Sequence, residues 1–437
     1  MIVENEELFL INYDSENRKK LLYAPLRSYL ALAKSEVAEM LVAPGKTDVK
    51  KQFFDKLKAR PLLDMEEIIR NLHTSNPELS LAITDNCTLR CVYCHASAGE
   101  EHKLNTMSHD MIDAILCKYF ESIKHSKVVK ISFDGGGEPT FNFDTLKYAI
   151  NQAKLLAAQQ GTKCRFSMAT NGYYGDKIRK YITQEFSHIS LSFDGPEFIH
   201  NLHRPTPSGH GSFSVVYDTA KFFSDSGLSF AFRATISNHS LYHLEAIIDF
   251  FAKHFPNKSI GLEHLNPLGR AIKCQNVLPP NKKDFSDSLL SILKYSKDKP
   301  VTILNSASTE YDIVRPVFCS NVGIPNWTVN INGEIAACAR DDVPDEFIFG
   351  KYDLESNALF FDDQKLENLR KMVVMNYKEC KNCFCKYHCA GDCPDRRMTE
   401  KLDCRSIREI GVHILTSKLY NKEVKYAHTI SSSNVGN

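Results

Sequence analysis

The chain has 437 residues, 54 of them Lys or Arg and 53 Asp or Glu, so its formal net charge is only +1. That balance lacks the field that nucleic acid or an anionic membrane surface would need, and no apolar run reaches the length of a membrane span. With 43% hydrophobic and 24% charged residues the chain reads as an ordinary globular protein of about two or three domains.

The opening Met1-Ile-Val-Glu-Asn-Glu-Glu7 is acidic and lacks a secretion signal, which predicts a cytoplasmic protein. Residues 1–78 form the first region, a small α+β unit. Leu8–Tyr13, Leu21–Leu26 and Tyr29–Ala33 read as strands; Glu36–Val42, Lys50–Ala59 and Met65–Leu72 read as helices.

The apolar run Leu79–Thr84 then reads as a strand that empties into Cys87-Thr-Leu-Arg-Cys91-Val-Tyr-Cys94. Fourteen cysteines is a high number for a chain without secretory features, and clustered ones point to metal or catalysis rather than disulfides. Three thiolates at this spacing suit an iron–sulfur cube with one iron left open. Zinc, which wants four ligands, and inert core thiols are the alternatives. Cys117, Cys164 and Cys274 stand alone and read as small buried residues.

The spacing, with Tyr93 just before the last cysteine, resembles the signature of the radical S-adenosylmethionine (SAM) enzymes. The resemblance implies a [4Fe–4S] cluster on Cys87, Cys91 and Cys94. It implies SAM chelated to the open iron and cleaved by an electron to a 5′-deoxyadenosyl radical. Tyr93 would lie against the adenine.

From Leu79 to about residue 300 strands and helices alternate. Strands are predicted at Leu79–Thr84, Val129–Asp134, Arg165–Thr170, Ile189–Asp194, Ser229–Ile236 and Ile260–Leu265. Amphipathic helices fall at Ser108–Ser122, Phe143–Gln160, Asp176–Phe186, Ser212–Ser226 and Tyr242–Phe255. Six βα units predict an α/β fold, a partial (β/α)6 TIM-like barrel with all strand C-termini on one rim. Asp284–Lys297 reads as a helix leading out of the barrel.

Several rim segments carry ligand-type residues. The second strand ends in Gly135-Gly-Gly-Glu-Pro139, where missing Cβ atoms let backbone approach a ligand. Gly136, Gly137, Glu138 and Pro139 resemble the Gly-Gly-Glu-Pro motif of the family, which receives the SAM amino group. Ser192, on the face shared by Ser190 and Asp194, suits a ribose diol. Arg204 suits the SAM carboxylate. The stretch Ser192–Phe213 resembles the subfamily with a cysteine-rich extension, which implies SAM contacts at Ser192 and Arg204 and an adenine contact at Leu265.

Eight cysteines lie between Cys319 and Cys404. Asn326–Cys338 reads as a β-hairpin with a two-residue type I′ turn at Asn332-Gly333. Thirteen residues separate Cys319 from Gly333, and four separate Gly333 from Cys338. Cys380, Cys383, Cys389 and Cys393 follow with two, five and three residues between them, and ten residues separate Cys393 from Cys404. This pattern resembles the SPASM extension, here residues 301–410, with a C-terminal helix and polar tail over 411–437. A pair of zinc sites is the chemical alternative. The resemblance implies two auxiliary [4Fe–4S] clusters: an outer one on Cys380, Cys383, Cys389 and Cys404, and an inner one on Cys319, Cys338 and Cys393. The inner cluster has no fourth cysteine in its expected place near Ile313 and Val314, and Cys385 lies outside the pattern.

The expected function is a peptide maturase that abstracts hydrogen from a ribosomally made precursor peptide and installs an oxidative thioether or carbon–carbon cross-link. A low-potential donor such as flavodoxin or ferredoxin would supply the electron. Residues 1–78 would handle the peptide, by resemblance to leader-binding winged domains, or serve as a packing cap on the barrel. Sulfatase-maturing relatives carry a catalytic Asp after the hairpin cysteine; here Ala339 stands there, followed by Arg340, Asp341 and Asp342. The two aspartates are candidate acid–base groups. The alternatives are a sulfatase-maturase-like or small-molecule radical SAM dehydrogenase and, from another class, a multi-cluster electron carrier.

Overall fold

Alternating apolar residues in the first sixty positions build a small sheet with two buried faces. In the computed structural model β1 (Phe9–Asp14), β2 (Lys19–Ala24) and β3 (Tyr29–Lys34) form an antiparallel meander, with Leu10 opposite Leu22 and Leu22 opposite Ala31. Side chains alternate along each strand. Leu8, Leu22 and Ala24 therefore pack on Ala38 and Leu41 of α1 (Ser35–Val42) and on Phe54 and Leu57 of α2 (Asp48–Lys58). Phe9, Ile11, Leu21 and Tyr23 face the other way, onto Tyr311, Cys385 and Leu415. Thr47 caps α2 by accepting from Lys50 N, and Asp64 caps α3 (Met65–Thr74) by accepting from Glu66 N and Glu67 N. Met65 and Ile68 of α3 pack with Val314, Val374, Cys380 and Tyr387. Residues 1–75, 305–323 and 370–437 are thus one unit, and residues 76–304 and 324–369 are the other. The structure describes residues 2–3, 6–14, 18–100, 105–123, 126–306, 310–340, 343–399, 404–421 and 427–428.

The larger unit holds the expected partial barrel. β4 (Leu79–Leu81), β5 (Val128–Phe133), β6 (Lys163–Thr170), β7 (Phe186–Ser192), β8 (Phe230–Ile236) and β9 (Lys258–His264) run parallel in chain order. Helices His109–Ser122, Phe143–Gln159, Asp176–Glu185, Phe213–Ser226 and Leu244–His254 fall within two residues of the predicted ones. Ser108 caps the first of them by accepting from Met111 N at 3.2 Å. That helix buries Met111, Ile112, Ile115, Leu116, Tyr119 and Phe120. Cys117 lies off this face and is exposed, which corrects its reading as a core residue.

A further parallel strand adds to these six. Helix Lys282–Tyr295 does not lead out of the barrel; it crosses to a seventh parallel strand, β10 (Val301–Leu304), paired with Lys258–Gly261 of β9. Val-Thr-Ile-Leu is at the lower limit of strand length, where period alone does not separate a strand from a turn of helix. At the other edge β11 (Trp327–Val329) lies parallel to β4, with Trp327 opposite Leu79. β12 (Glu334–Ala336), β13 (Ile348–Asp353) and β14 (Ala358–Phe361) extend the same sheet antiparallel. The predicted hairpin therefore exists as β11–β12, but its turn differs. Gly333 N bonds Asn330 O at 3.0 Å, and Gly333 has φ +76° while Asn332 is not left-handed. The loop is a three-residue turn with a left-handed glycine rather than a type I′ pair. The Asn330 carboxamide selects it, accepting from Asn332 N and Glu334 N at 3.0 Å each.

Candidate active site

The cysteine loop is seated by backbone contact with the glycine run. Gly137 N donates to Thr84 O at 2.6 Å and Glu138 N to Asn86 O at 2.8 Å. A Cβ at Gly137 would lie 2.0 Å from Asn86 O, so only glycine lets the end of β5 rest on the segment that leads to Cys87. These amides are spent on the loop. A second clamp comes from the Gly269-Arg270 pair after β9. Arg270 donates from its backbone N to Cys94 O (2.9 Å), from Nη1 to Cys91 O (2.8 Å) and from Nη2 to Ala98 O (2.8 Å). A Cβ at Gly269 would lie 2.2 Å from His95 O. Sequence reading missed this clamp, whose only signal was a glycine–arginine pair past the last predicted strand.

Each sulfur of the loop has an N–H group near it: Asn171 Nδ2 at 3.6 Å from Cys87, which also meets the backbone N–H of Leu89, Arg204 Nη1 at 4.0 Å from Cys91, and Ala98 N at 3.5 Å from Cys94. Burial pushes the Cys87 thiol up to about 12, and the neighbouring Cys91 and Cys94 push the same way. Burial raises Cys91 to about 11 against the pull of Arg204. Thiols raised as Cys87 and Cys91 are become thiolates only with positive charge among them, which is what an iron–sulfur cluster provides. No three His, Cys, Asp or Glu side chains stand in single-ion coordination geometry among the described residues.

Asp194, at the end of the fourth strand, is the hub beside this loop and is completely buried. It accepts from Arg204 Nε at 2.9 Å and Nη2 at 3.2 Å, from Thr235 N at 2.9 Å and from the Tyr93 hydroxyl; His203 Nδ1 lies 3.2 Å away. Burial would raise its pKa, but Arg204 and His203 outweigh burial and hold the carboxyl well below the usual range. The Arg204 guanidinium also sits 5.2 Å from the Tyr93 ring centre. Burial lowers His200 to about 3. Neutral, it accepts from Asp194 N and donates to Ser212 Oγ at 3.0 Å, and Ser212 in turn donates to Arg204 O. Tyr93 shares an apolar cluster with Leu265, Val92, Ala271, Val277 and Cys274. Ser192 closes β7, half-buried, opposite Arg233 of β8.

Glu138 joins the ends of β5 and β6. Its carboxylate accepts from Thr140 Oγ1 (2.7 Å), Thr140 N (3.2 Å) and Thr170 Oγ1 (2.8 Å) at Oε1, and from Asn171 N (2.7 Å) at Oε2. Burial raises its pKa against these bonds. Pro139 opens the short turn Pro139–Asn142. Through Asn171, Glu138 places the amide that faces Cys87.

A cavity of about 300 Å³ opens beside Gly136 and is also lined by Asp85, Asn330, Glu334, Cys338 and Arg340. Ala339 faces the glycine run: a Cβ on Gly135 would lie 3.3 Å from the Ala339 Cβ. Asp341 and Asp342 lie outside the described residues.

The other unit holds a second gathering of thiols. Burial pushes Cys389 up to about 12, and Asp392, Cys383, Cys380 and Cys404 add to it. Cys383 is pulled down to about 5 by hydrogen bonds from Cys385 and Arg408, against burial. Cys319 precedes helix Ser320–Gly323 and Cys393 precedes helix Pro394–Thr399; both belong to this unit, whereas Cys338 belongs to the barrel unit.

Residues 81–251 match the model of the Radical SAM superfamily. This is a radical SAM domain. The cysteine-type anaerobic sulfatase-maturating enzyme of Clostridium perfringens is 23% identical over 337 residues, 72% of this chain and 89% of the relative. The solved structure of native anSMEcpe with bound AdoMet covers 79% of this chain and 99% of its own, at 19% identity and a TM-score of 0.61. Streptococcus suis SuiB bound to precursor peptide SuiA covers 92% of this chain and 97% of its own, at 14% identity and a TM-score of 0.52. At these identities the structural likeness is one of fold. The radical SAM domain implies SAM and a [4Fe–4S] cluster, and the thiols of Cys87, Cys91 and Cys94 with their N–H neighbours fit the cluster. No helix among the described residues is long and apolar enough to cross a membrane.

Proposed function

We propose that the chain is a radical SAM peptide maturase that installs an oxidative thioether or carbon–carbon cross-link in a ribosomally made precursor peptide. The observation that carries this reading is the second gathering of thiols, Cys380, Cys383, Cys389 and Cys404, in a chain whose barrel already holds three. Such a set fits an auxiliary cluster able to take an electron from a substrate radical.

When bound, SAM and its cluster supply a 5′-deoxyadenosyl radical, with the electron from a donor such as flavodoxin or ferredoxin. The chain's part is placement. Cys87, Cys91 and Cys94 would hold the metal, and their N–H neighbours would stabilise the thiolates. Tyr93, held by Asp194, and Leu265, in the same apolar cluster, would border the adenine. Arg204 has two N–H groups committed to Asp194 and keeps Nη1 toward the cysteine loop, where a carboxylate of SAM would meet it. Ser192 offers its hydroxyl from the rim. Gly136, Gly137 and Pro139 set the backbone there. The Oε2 atom of Glu138, with one accepted bond, has room for an amino group. The edges of the N-terminal sheet, β1 and β3, suit strand addition by a peptide.

The Clostridium perfringens relative favours a second reading, a sulfatase-maturase activity. Ala339 speaks against it, because a methyl group cannot move a proton. One experiment separates the readings. Reconstituted protein with dithionite and SAM is expected to release 5′-deoxyadenosine and to change the mass of a neighbouring-gene peptide, not of a sulfatase active-site peptide. Absence of 5′-deoxyadenosine would sink both readings.

A further inference from the structure

Side chains of β8 alternate between two faces. Phe232 packs on Phe251 of the helix Leu244–His254, with ring centroids 4.6 Å apart, and Ala234 and Ile236 are buried on the same face. Ala231, Arg233 and Thr235 therefore point the other way, into the concave side of the partial barrel. Arg233 is exposed there. Its partners in register are small, Ser192 on β7 and Gly261 on β9. A Cβ at Gly261 would lie 4.0 Å from Arg233 Cγ, so the arginine stem runs beside that glycine. Phe193 N donates to Arg233 O at 3.0 Å and Thr235 N to Asp194 Oδ1 at 2.9 Å, which ties this stretch of β8 to the buried hub of the SAM site.

Three other cations of this unit are committed. Arg204 bonds Asp194, Arg270 pairs with Glu100 at 3.3 Å and bonds Cys91 O, and Lys130 pairs with Glu78 at 3.4 Å. The Arg233 guanidinium has no hydrogen bond and no ion pair among the described residues. Two carboxylates share its face. Asp134, just past β5, accepts from Ala169 N at 2.7 Å; burial raises its pKa, and the Arg233 charge works against that from beyond contact. Glu263 stands opposite Thr235, one pair further along. Neither forms an ion pair with Arg233. A guanidinium stays charged, and its planar fork matches a carboxylate through two parallel N–H···O bonds. The small residues on either side leave room for one.

We propose that Arg233 binds a carboxylate of the substrate peptide, either an Asp or Glu side chain or the C-terminal carboxylate, and so sets which residue of that peptide is presented at the SAM site. The inference rests on the peptide reading of the proposed function and adds to it a chemical requirement on the substrate.

The test uses the full chain, reconstituted anaerobically, with dithionite, SAM and the neighbouring-gene peptide. The SAM dissociation constant and the peptide's KM and kcat, read from its mass change, are measured for the parent, Arg233→Gln and Arg233→Lys. Arg233→Gln is expected to keep the parent's SAM affinity and to raise the peptide KM about 10- to 100-fold, as for lost hydrogen bonds to a charged group. Arg233→Lys, which keeps the charge but not the fork, should fall between. On the peptide side each Asp or Glu is replaced in turn by its amide, and a further peptide carries a C-terminal amide. One of these should show the raised KM with the parent protein and no further rise with Arg233→Gln; which one it is tells a side-chain carboxylate from the terminal one. The rise with the parent needs no protein variant, so a poorly folded Arg233→Gln does not blunt it. Weakened SAM binding in Arg233→Gln with an unchanged peptide KM would overturn the proposal by making Arg233 a cofactor residue. A KM that neither Arg233→Gln nor any amide peptide moves would overturn it outright. Release of 5′-deoxyadenosine with no mass change in the peptide would remove the peptide reading and this inference with it, and the parent alone shows that outcome.

Discussion

Replacing Asp194 by Asn tests whether one buried carboxylate holds the radical SAM site together. Asp194 is fully buried and accepts two bonds from Arg204, one from Thr235 N and one from Tyr93, with His203 in contact. Asparagine offers one acceptor oxygen, and its NH2 would face donors. The Arg204 charge, itself 6% exposed, would lose its counter-charge. Breaking a buried ion pair in this way costs about 3–5 kcal/mol, a large part of the roughly 5–15 kcal/mol that keeps a domain folded. Arg204→Met should cost a similar amount, since it leaves the carboxylate alone. The double variant should cost less than the sum of the two by about 1–3 kcal/mol, because the second change removes the charge that the first orphaned. Urea unfolding of the three variants and the parent measures each value, and Tyr93, released from Asp194, should leave the Asp194→Asn protein with weaker SAM binding. Strictly additive costs, or an Asp194→Asn variant within 0.5 kcal/mol of the parent by the usual surface standard, would refute the hub.

Three further outcomes follow from the geometry. Gly137→Ala puts a methyl 2.0 Å from Asn86 O, so overpacking of about 1–3 kcal/mol should unseat the cysteine loop, read as a fall in SAM-cluster iron with the auxiliary iron retained. His388 has a folded pKa of about 3 against 6.5 when unfolded, so its stabilising contribution is complete above pH 6.5 and declines as pH falls toward 3. Urea midpoints between pH 6.5 and 5 should therefore fall less steeply for His388→Gln than for the parent, by up to about 1.4 kcal/mol per pH unit; parallel curves would count against a neutral buried His388. Cys389→Ala should remove one auxiliary cluster's iron while leaving the 5′-deoxyadenosyl chemistry of the barrel detectable, measured by iron analysis and 5′-deoxyadenosine release; unchanged iron would remove Cys389 from the outer set.

What could be read from residues alone was local. Strand and helix periods in the barrel and the Ser108 cap depend on neighbours a few positions apart, and they place the elements; the spacing of Cys87, Cys91 and Cys94 is local in the same way. The Asn332-Gly333 turn was misread even so, because the side chain of Asn330 chose between two loops that both want Gly333. The four-residue strand Val301–Leu304 stayed hidden until its partner β9 was in place beside it. Tertiary structure alone decided the rest: β11 running parallel to β4, Asp194 as the common acceptor for Tyr93, His203, Arg204 and Thr235, Arg270 clamping the cysteine loop, and the N-terminal sheet sharing a core with Tyr311, Cys385 and Leu415. The physical reason is the same in each case. A buried polar or apolar group needs a partner, and the identity of that partner is set by chain segments tens to hundreds of residues away, which no local pattern records.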